Sequence, residues 1–283
     1  MSRKDAKNIA LAAIFLLAFL PSDAFSADQG ETERMLRRIT PPMTVIKEEV
    51  KAKDQWYFDY YYEPSVIIQG NRTGRWSENT TTFGYTHENV QGYFFVTEMD
   101  RLGDNDYNAN WGTYITLKDS YVHMETGFGW NINYTYDFQS IVEYGHKLIK
   151  NVFWQVGYNY RCYRTAGDVH NIYPGLIYYF GDNYISANYG ISCIESRDAA
   201  NFGTVKGVFA ITDFLKLYGG VAFGERLYDI FGLSAAKEKG YILFVGTNIK
   251  IYKGINCRVG YIYGREEPKF EKHGMHYDLA VKF

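Results

Sequence analysis

Met275-His276-Tyr277-Asp278-Leu279-Ala280-Val281-Lys282-Phe283, the last nine residues, put a large apolar side chain at every odd position and His, Asp, Ala or Lys at every even one. Successive side chains of an extended strand point to opposite faces, so this alternation makes a β-strand with one oily and one wet face. The same period runs upstream. Trp154, Val156, Tyr158 and Tyr160 oppose Gln155, Gly157, Asn159 and Arg161, while Ile255, Cys257, Val259, Tyr261 and Tyr263 oppose Asn256, Arg258 and Gly260. Tyr134, Tyr136 and Phe138 against Thr135, Asp137 and Gln139 read likewise as a strand. Residues that accept tight or left-handed turns separate these runs, at Gly103-Asp104-Asn105-Asp106, Asp119-Ser120, Ala166-Gly167-Asp168, Gly181-Asp182-Asn183, Thr212-Asp213 and Lys253-Gly254.

Laid end to end from residue 55 to 283, the pattern gives about fourteen strands, each of roughly 9 to 11 membrane-crossing residues with about five or six left per connection. The starts fall near Gln55, Arg75, Val90, Asp106, Tyr121, Tyr134, Asn151, Val169, Tyr184, Asn201, Phe214, Gly240, Gly254 and Gly274. Twelve or sixteen strands also fit within boundary errors of about two to four residues. Connections at 63–74, 164–168, 195–200, 225–239 and 265–273 are mostly longer than those at 119–120, 212–213 and 252–253. Short turns on one side and longer loops on the other are the habit of outer-membrane barrels.

The whole chain of 283 residues is 46% hydrophobic and 22% charged, with 27 Tyr, 19 Phe, 5 Trp and 27 Gly but only 6 Pro. That mixture favours strands and tight turns over helices or disorder. Past the first twenty residues no run approaches the 18 or so apolar positions of a membrane helix. Thirty basic and thirty-two acidic residues leave a formal charge of -2, so no nucleic-acid partner is expected. Cys162, Cys193 and Cys257 are too few and too scattered for a disulfide framework and read as small hydrophobes.

The chain opens on Arg3, Lys4 and Lys7, an apolar run from Ile9 to Leu20, and Ala24-Phe25-Ser26-Ala27, which together read as a secretory signal over 1–26. Cleavage after Ser26 or after Ala27 both fit. Residues 27–54, with Pro41-Pro42 and weak helical patterning, read as a short periplasmic linker or a plug, and 55–283 as the barrel.

A soluble sandwich or small closed barrel shows the same alternation. Three features favour a transmembrane, antiparallel, up-and-down β-barrel. Aromatic residues stand at both ends of oily faces, as with Trp56 and Tyr62, Tyr134 and Tyr144, and Tyr277 and Phe283, matching interfacial girdles. The wet faces carry Gly, Asn, Thr and charge where a small soluble barrel needs apolar filling. The chain also ends on an aromatic residue that closes an alternating strand.

With the wet face as lumen, the candidate lining is Asp59, Glu63, Glu125, Asp137 and Glu143 from the first strands and Arg161, Lys206, Lys216, Lys250, Arg258 and Lys282 from the later ones, with Asp278 the acidic exception. This predicts an acidic wall facing a basic wall. Such walls either set a field across an open bore or pair and hold it shut. Fourteen strands at ~4.8 Å spacing and ~40° tilt enclose about 28 Å between backbones and about 15 Å once lined.

Tyr277, Leu279, Val281 and Phe283 resemble the terminal signal by which the barrel-assembly machinery of Gram-negative bacteria recognises its clients. Over 70–283 the chain further resembles the YaiO family of outer-membrane barrels, in Gly74-Arg75-Trp76, Asp100-Arg101-Leu102-Gly103-Asp104, Gly157-Tyr158-Asn159-Tyr160-Arg161, Tyr179-Phe180-Gly181-Asp182-Asn183-Tyr184 and Gly219-Gly220-Val221-Ala222-Phe223-Gly224-Glu225. The motifs are individually weak and persuade by their order. The resemblance implies residence in the outer membrane, with its lipid and the assembly machinery as partners and a link to cell-surface polysaccharide. It carries over no catalytic residue.

The expected function is a pore or export conduit for polar solutes such as saccharides. The alternatives are a closed barrel presenting surface loops and a membrane-embedded lipid-modifying enzyme. No enzyme activity, cofactor or metal is expected. None of the six histidines sits in a nucleophile motif; His123 and Glu125 share the wet face, with Ser120 or Ser140 as candidate neighbours in space. Asp104 and Asp106 lack the further carboxylates of a calcium loop and read as a plain turn.

Overall fold

A computed structural model describes residues 52–164, 167–194, 199–226, 238–266 and 270–283. The leader and nearly all of the linker or plug read at 1–54 lie outside the described residues. Fourteen antiparallel strands close into one barrel in sequence order, β14 pairing with β1. They are β1 (Ala52–Gln69), β2 (Arg72–Glu88), β3 (Val90–Arg101), β4 (Asp104–Thr116), β5 (Ser120–Trp130), β6 (Phe138–Ile149), β7 (Val152–Tyr163), β8 (Gly167–Phe180), β9 (Asn183–Ile194), β10 (Ala200–Ala210), β11 (Leu215–Arg226), β12 (Glu238–Tyr252), β13 (Ile255–Glu266) and β14 (Phe270–Lys282). Every strand is hydrogen-bonded on both sides, so no backbone edge faces lipid. The barrel begins at Ala52, three residues before the sequence boundary at Gln55.

The start of β1 and the last residue lie at one end, where the Phe283 amide donates to the Trp56 carbonyl at 2.9 Å. The connections at this terminal end are 89, 117–119, 150–151, 181–182, 211–214 and 253–254, and those at the opposite, loop end are 70–71, 102–103, 131–137, 164–166, 195–199, 227–237 and 267–269. The short-turn end of such a barrel is periplasmic. Several expected boundaries move. Residues 63–74 are almost wholly strand, and the turn expected at Gly103–Asp106 is the two-residue Leu102-Gly103, with φ of 60° and 95°. Positive φ at both positions is what a type I′ hairpin demands, and Leu102 is held there with its side chain lying over Gly74.

The parity read from sequence sets inside against outside. Leu279, Tyr277, Val245, Ile172, Phe83 and Trp56 are exposed on the outer surface, while Glu63, Asn110, Gln139 and Asn159 on the opposite parity are buried in the bore. The free Cys162, Cys193 and Cys257 stand on the outward parity.

An aromatic or imidazole ring lies over a glycine, its direct cross-strand partner, in each successive pair of strands. The pairs are Tyr57 on Gly84, Tyr93 on Gly112, Tyr121 on Gly145, Tyr173 on Gly157, Phe202 on Gly190, Tyr218 on Gly246 and His276 on Gly260. A Cβ at any of these glycines would run into the ring, so close approach requires glycine there. The ring covers backbone that glycine leaves bare and pins the register.

Candidate functional site

The bore is filled. Asn108, Asn110, Gln139 and Asn159 have no exposed surface, and Gln155 and Glu143 have 1% each. Strands β3 to β10 supply a hydrogen-bonded column in which bonds between neighbouring strands alternate with bonds that skip a strand. The Tyr93 hydroxyl donates to Glu125 at 2.8 Å and lies 2.6 Å from His123 Nε2; Gln139 Nε2 donates to the other Glu125 oxygen at 2.7 Å, and Arg161 Nε donates to Gln139 at 3.0 Å. Below them Tyr121 donates to Glu143 at 2.7 Å and sits 3.0 Å from Gln155, which donates to Asn188 at 2.7 Å, and Asn188 to Thr204 at 3.2 Å. Lys206 on β10 attracts Glu143 from four strands away. Satisfied partners are what make such groups tolerable away from water.

The seam where β13, β14, β1 and β2 meet carries the ion pairs. Arg258 donates through Nε to Asp278 at 2.9 Å and through a terminal nitrogen to Asp59 at 3.1 Å. Lys272 lies 2.7 Å from Glu63, which also accepts from Ser65 at 3.0 Å and from Tyr61. Trp76 sits between cations, with Arg101 at 4.8 Å and Lys272 at 5.9 Å from its ring.

At the loop end, β5 and β6 are joined by residues 131–137, which fold inward as a strap. Asp106 on β4, fully buried, accepts from the backbone amides of Asn133 (2.9 Å), Tyr134 (2.6 Å) and Thr135 (2.7 Å) and from the Asn133 side chain (3.2 Å). Successive amides converging on one carboxylate form a strong charge-assisted cradle. This aims Tyr136 into the bore, 2% exposed, where its hydroxyl donates to Asn110 at 2.8 Å and its ring packs with Tyr163 and Val169, 5.6 Å from the Arg161 guanidinium.

These placements correct several expectations. The run from Tyr134 to Phe138 is not a strand, since β6 starts at Phe138 and the chain turns in just before it. Asp137 lies in the connection at the loop end, where it ion-pairs with Arg164 at 3.0 Å in the neighbouring connection. Asp59, Glu63, Glu125, Glu143, Arg161, Lys206, Arg258 and Asp278 do point inward. Lys216, Lys250 and Lys282 share that parity but stand at the terminal mouth, away from the filled section. Separate acidic and basic walls do not hold at the seam, where Arg258 and Lys272 interleave with Asp59, Glu63 and Asp278.

Nor is the inner face wet throughout. Phe153, Ile177, Tyr179 and Tyr184 cluster inside near the terminal end, and Ala222, Ile242 and Ile262 with Phe244 inside β11 to β13. Sequence reading missed Lys272, taken as loop, and the strap; the signal for the latter was Asn131 and Asn133 in a seven-residue gap, with Asn131 at φ 53°. Ser120 and Ser140 fall on the parity opposite His123, so no Ser–His pair forms there. Among the described residues no cluster of His, Cys, Asp or Glu is arranged to hold a metal ion.

The fold is similar to that of solved outer-membrane barrels. The CymD monoaromatic hydrocarbon channel aligns over 80% of this chain and 87% of its own at 7% identity, TM-score 0.56. A deltaS2S3 mutant of TodX, a monoaromatic hydrocarbon channel of Pseudomonas putida, aligns over 81% and 90% at 9% identity, TM-score 0.54. Omp33 of Acinetobacter baumannii aligns over 81% and 99% at 12% identity, TM-score 0.51. At these identities the likeness speaks for fold alone. No family model matches the chain, and no curated protein matches it. A closed fourteen-strand barrel with an apolar outer surface is a Gram-negative outer-membrane protein.

Proposed function

We propose that this barrel is a gated conduit for polar solutes, shut at its loop end by the 131–137 strap. The observation that carries the reading is the Asp106 cradle, which fixes an otherwise free connection inside the bore with Tyr136 as its stopper. The chemistry of the column supports a hydroxyl-rich solute: Asn, Gln, Thr and Tyr exchange hydrogen bonds with hydroxyls as readily as with one another. It offers little to the aromatic hydrocarbons named for the structurally similar channels. The ordered stretches shared with the YaiO family support the same side, because that resemblance implies a link to cell-surface polysaccharide. Folding by the barrel-assembly machinery through the Phe283 strand belongs to the same reading.

Asp106→Ala tests the gate. It removes the acceptor of three backbone amides, of which the one on buried Thr135 costs about 1 to 3 kcal/mol when left unpaired, so the strap-out population should rise by about tenfold or more. In planar bilayers the wild type is expected to show rare, brief openings and the variant sustained conductance steps. A heat-modifiable, correctly folded variant as silent as the wild type would leave the permanently closed, loop-presenting barrel as the better reading. That rival rests on the absence of exposed surface at Asn108, Asn110 and Gln139.

A further inference from the structure

At the terminal mouth the inner wall of β11 to β14 is basic, with no acid on it among the described residues. Lys216, Lys250 and Lys282 occupy inward positions near the terminal ends of β11, β12 and β14. Register links them through asparagines: Lys216 pairs with Asn248, two residues from Lys250, and Lys250 pairs with Asn256, whose partner Ala280 is two residues from Lys282. One strand spacing is about 4.8 Å and a diagonal step about 7 to 8 Å. The three ammonium groups therefore follow an arc rather than a point, with amide side chains between them.

None of the three makes an ion pair among the described residues, although Lys147, on the inward parity of β6 at the same mouth, is held by Asp119 at 3.4 Å. The two inward carboxylates next above this wall, Asp59 and Asp278, are both taken by Arg258. Asp213 in the adjoining turn and the terminal carboxylate of Phe283 make no ion pair with the lysines either. Facing them from β2, β3 and β4 are the neutral Thr86, Gln91 and Thr116, with Glu88, of the same parity as Thr86, at the rim beyond and in no ion pair with the lysines. Three cations thus share a concave mouth with no ion-paired counter-charge among the described residues, a geometry that focuses positive potential on whatever enters. Lysines at a lipid interface are ordinary, but these stand on the inner parity and touch no lipid.

We propose that this wall binds an extended oligoanion, a chain bearing carboxylate or phosphate groups at intervals, entering from the terminal end. The proposal deepens the conduit reading by giving the charge of its solute, yet binding at the mouth does not require the strap to open. The test titrates purified full-length barrel in detergent micelles with oligogalacturonate, with linear polyphosphate and with neutral malto-oligosaccharide, by calorimetry at low and high salt. Wild type is expected to bind the two anionic probes at least about tenfold more tightly than the neutral one, with affinity falling as salt rises. The K216E/K250E/K282E variant, its folding checked by heat modifiability, should lose that preference. A preference for one anionic probe tells carboxylate from phosphate chemistry. Equal affinity for the neutral chain, or an unchanged preference in the triple variant, overturns the proposal. Binding by a barrel that stays silent in bilayers even as Asp106→Ala would instead overturn the conduit and leave the site standing.

Discussion

Leu279→Arg is expected to remove the folded, heat-modifiable barrel from outer membranes almost completely, while Lys282→Ala leaves its yield unchanged. Leu279 points outward between Tyr60 on β1 and Cys257 on β13, on the seam that closes the barrel. Four residues separate it from the chain end, about 13 Å along the strand and about 10 Å of height at ~40° tilt, close to the middle of an apolar band about 25 Å tall. A lipid-facing Arg there costs roughly 2 to 4 kcal/mol, and under the proposed assembly through the Phe283 strand it also disrupts the segment to be recognised. Lys282 shares the strand but faces the wet mouth. Asp278 separates parity from structure. Alternation alone makes it a hydrated lumen position that tolerates Ala, whereas its burial and its bonds to Arg258 place the Ala variant between the other two. The measurement is the fraction of unboiled protein migrating as the compact form.

Lys272→Met is expected to lower unfolding free energy by about 3 to 5 kcal/mol, the cost of leaving a buried charge without its partner. Glu63 has 2% of its side chain exposed and Lys272 has 7%, at 2.7 Å, so neither reaches water when the other is removed. Adding Glu63→Gln should recover most of the loss, because the amide carries no charge and its oxygen still accepts from Ser65 or Tyr61. Urea unfolding in lipid vesicles, followed by tryptophan fluorescence, checks this. A double variant no better than the single would show that the pair's value lies in the Lys272 contact with Trp76.

The inside and outside of this barrel were legible because strand parity is a local property, readable wherever alternation persists. Leu279 and Asp278, or Val156 and Arg161, need no knowledge of their neighbours. Height and partnership are different. Arg258 and Lys250 share one parity, yet one is locked between Asp278 and Asp59 and the other stands free at the mouth, a distinction set by register with strands far along the chain. The strap shows the same limit more sharply. Tyr134, Tyr136 and Phe138 alternate as well as any strand, and only the carboxylate of Asp106, about thirty residues earlier, turns that segment into the bore. Lys272 escaped notice because β13 and β14 run on through residues that look like loop.

The closure of the bore rests on the strap being held, and amide hydrogen exchange in micelles measures that hold directly. The backbone N–H groups of Asn133, Tyr134 and Thr135 should exchange as slowly as those of the flanking strands in the wild type and at turn-like rates in Asp106→Ala. A wild-type peptide spanning 131–137 that exchanges as fast as the exposed turn at 211–214 would contradict the account.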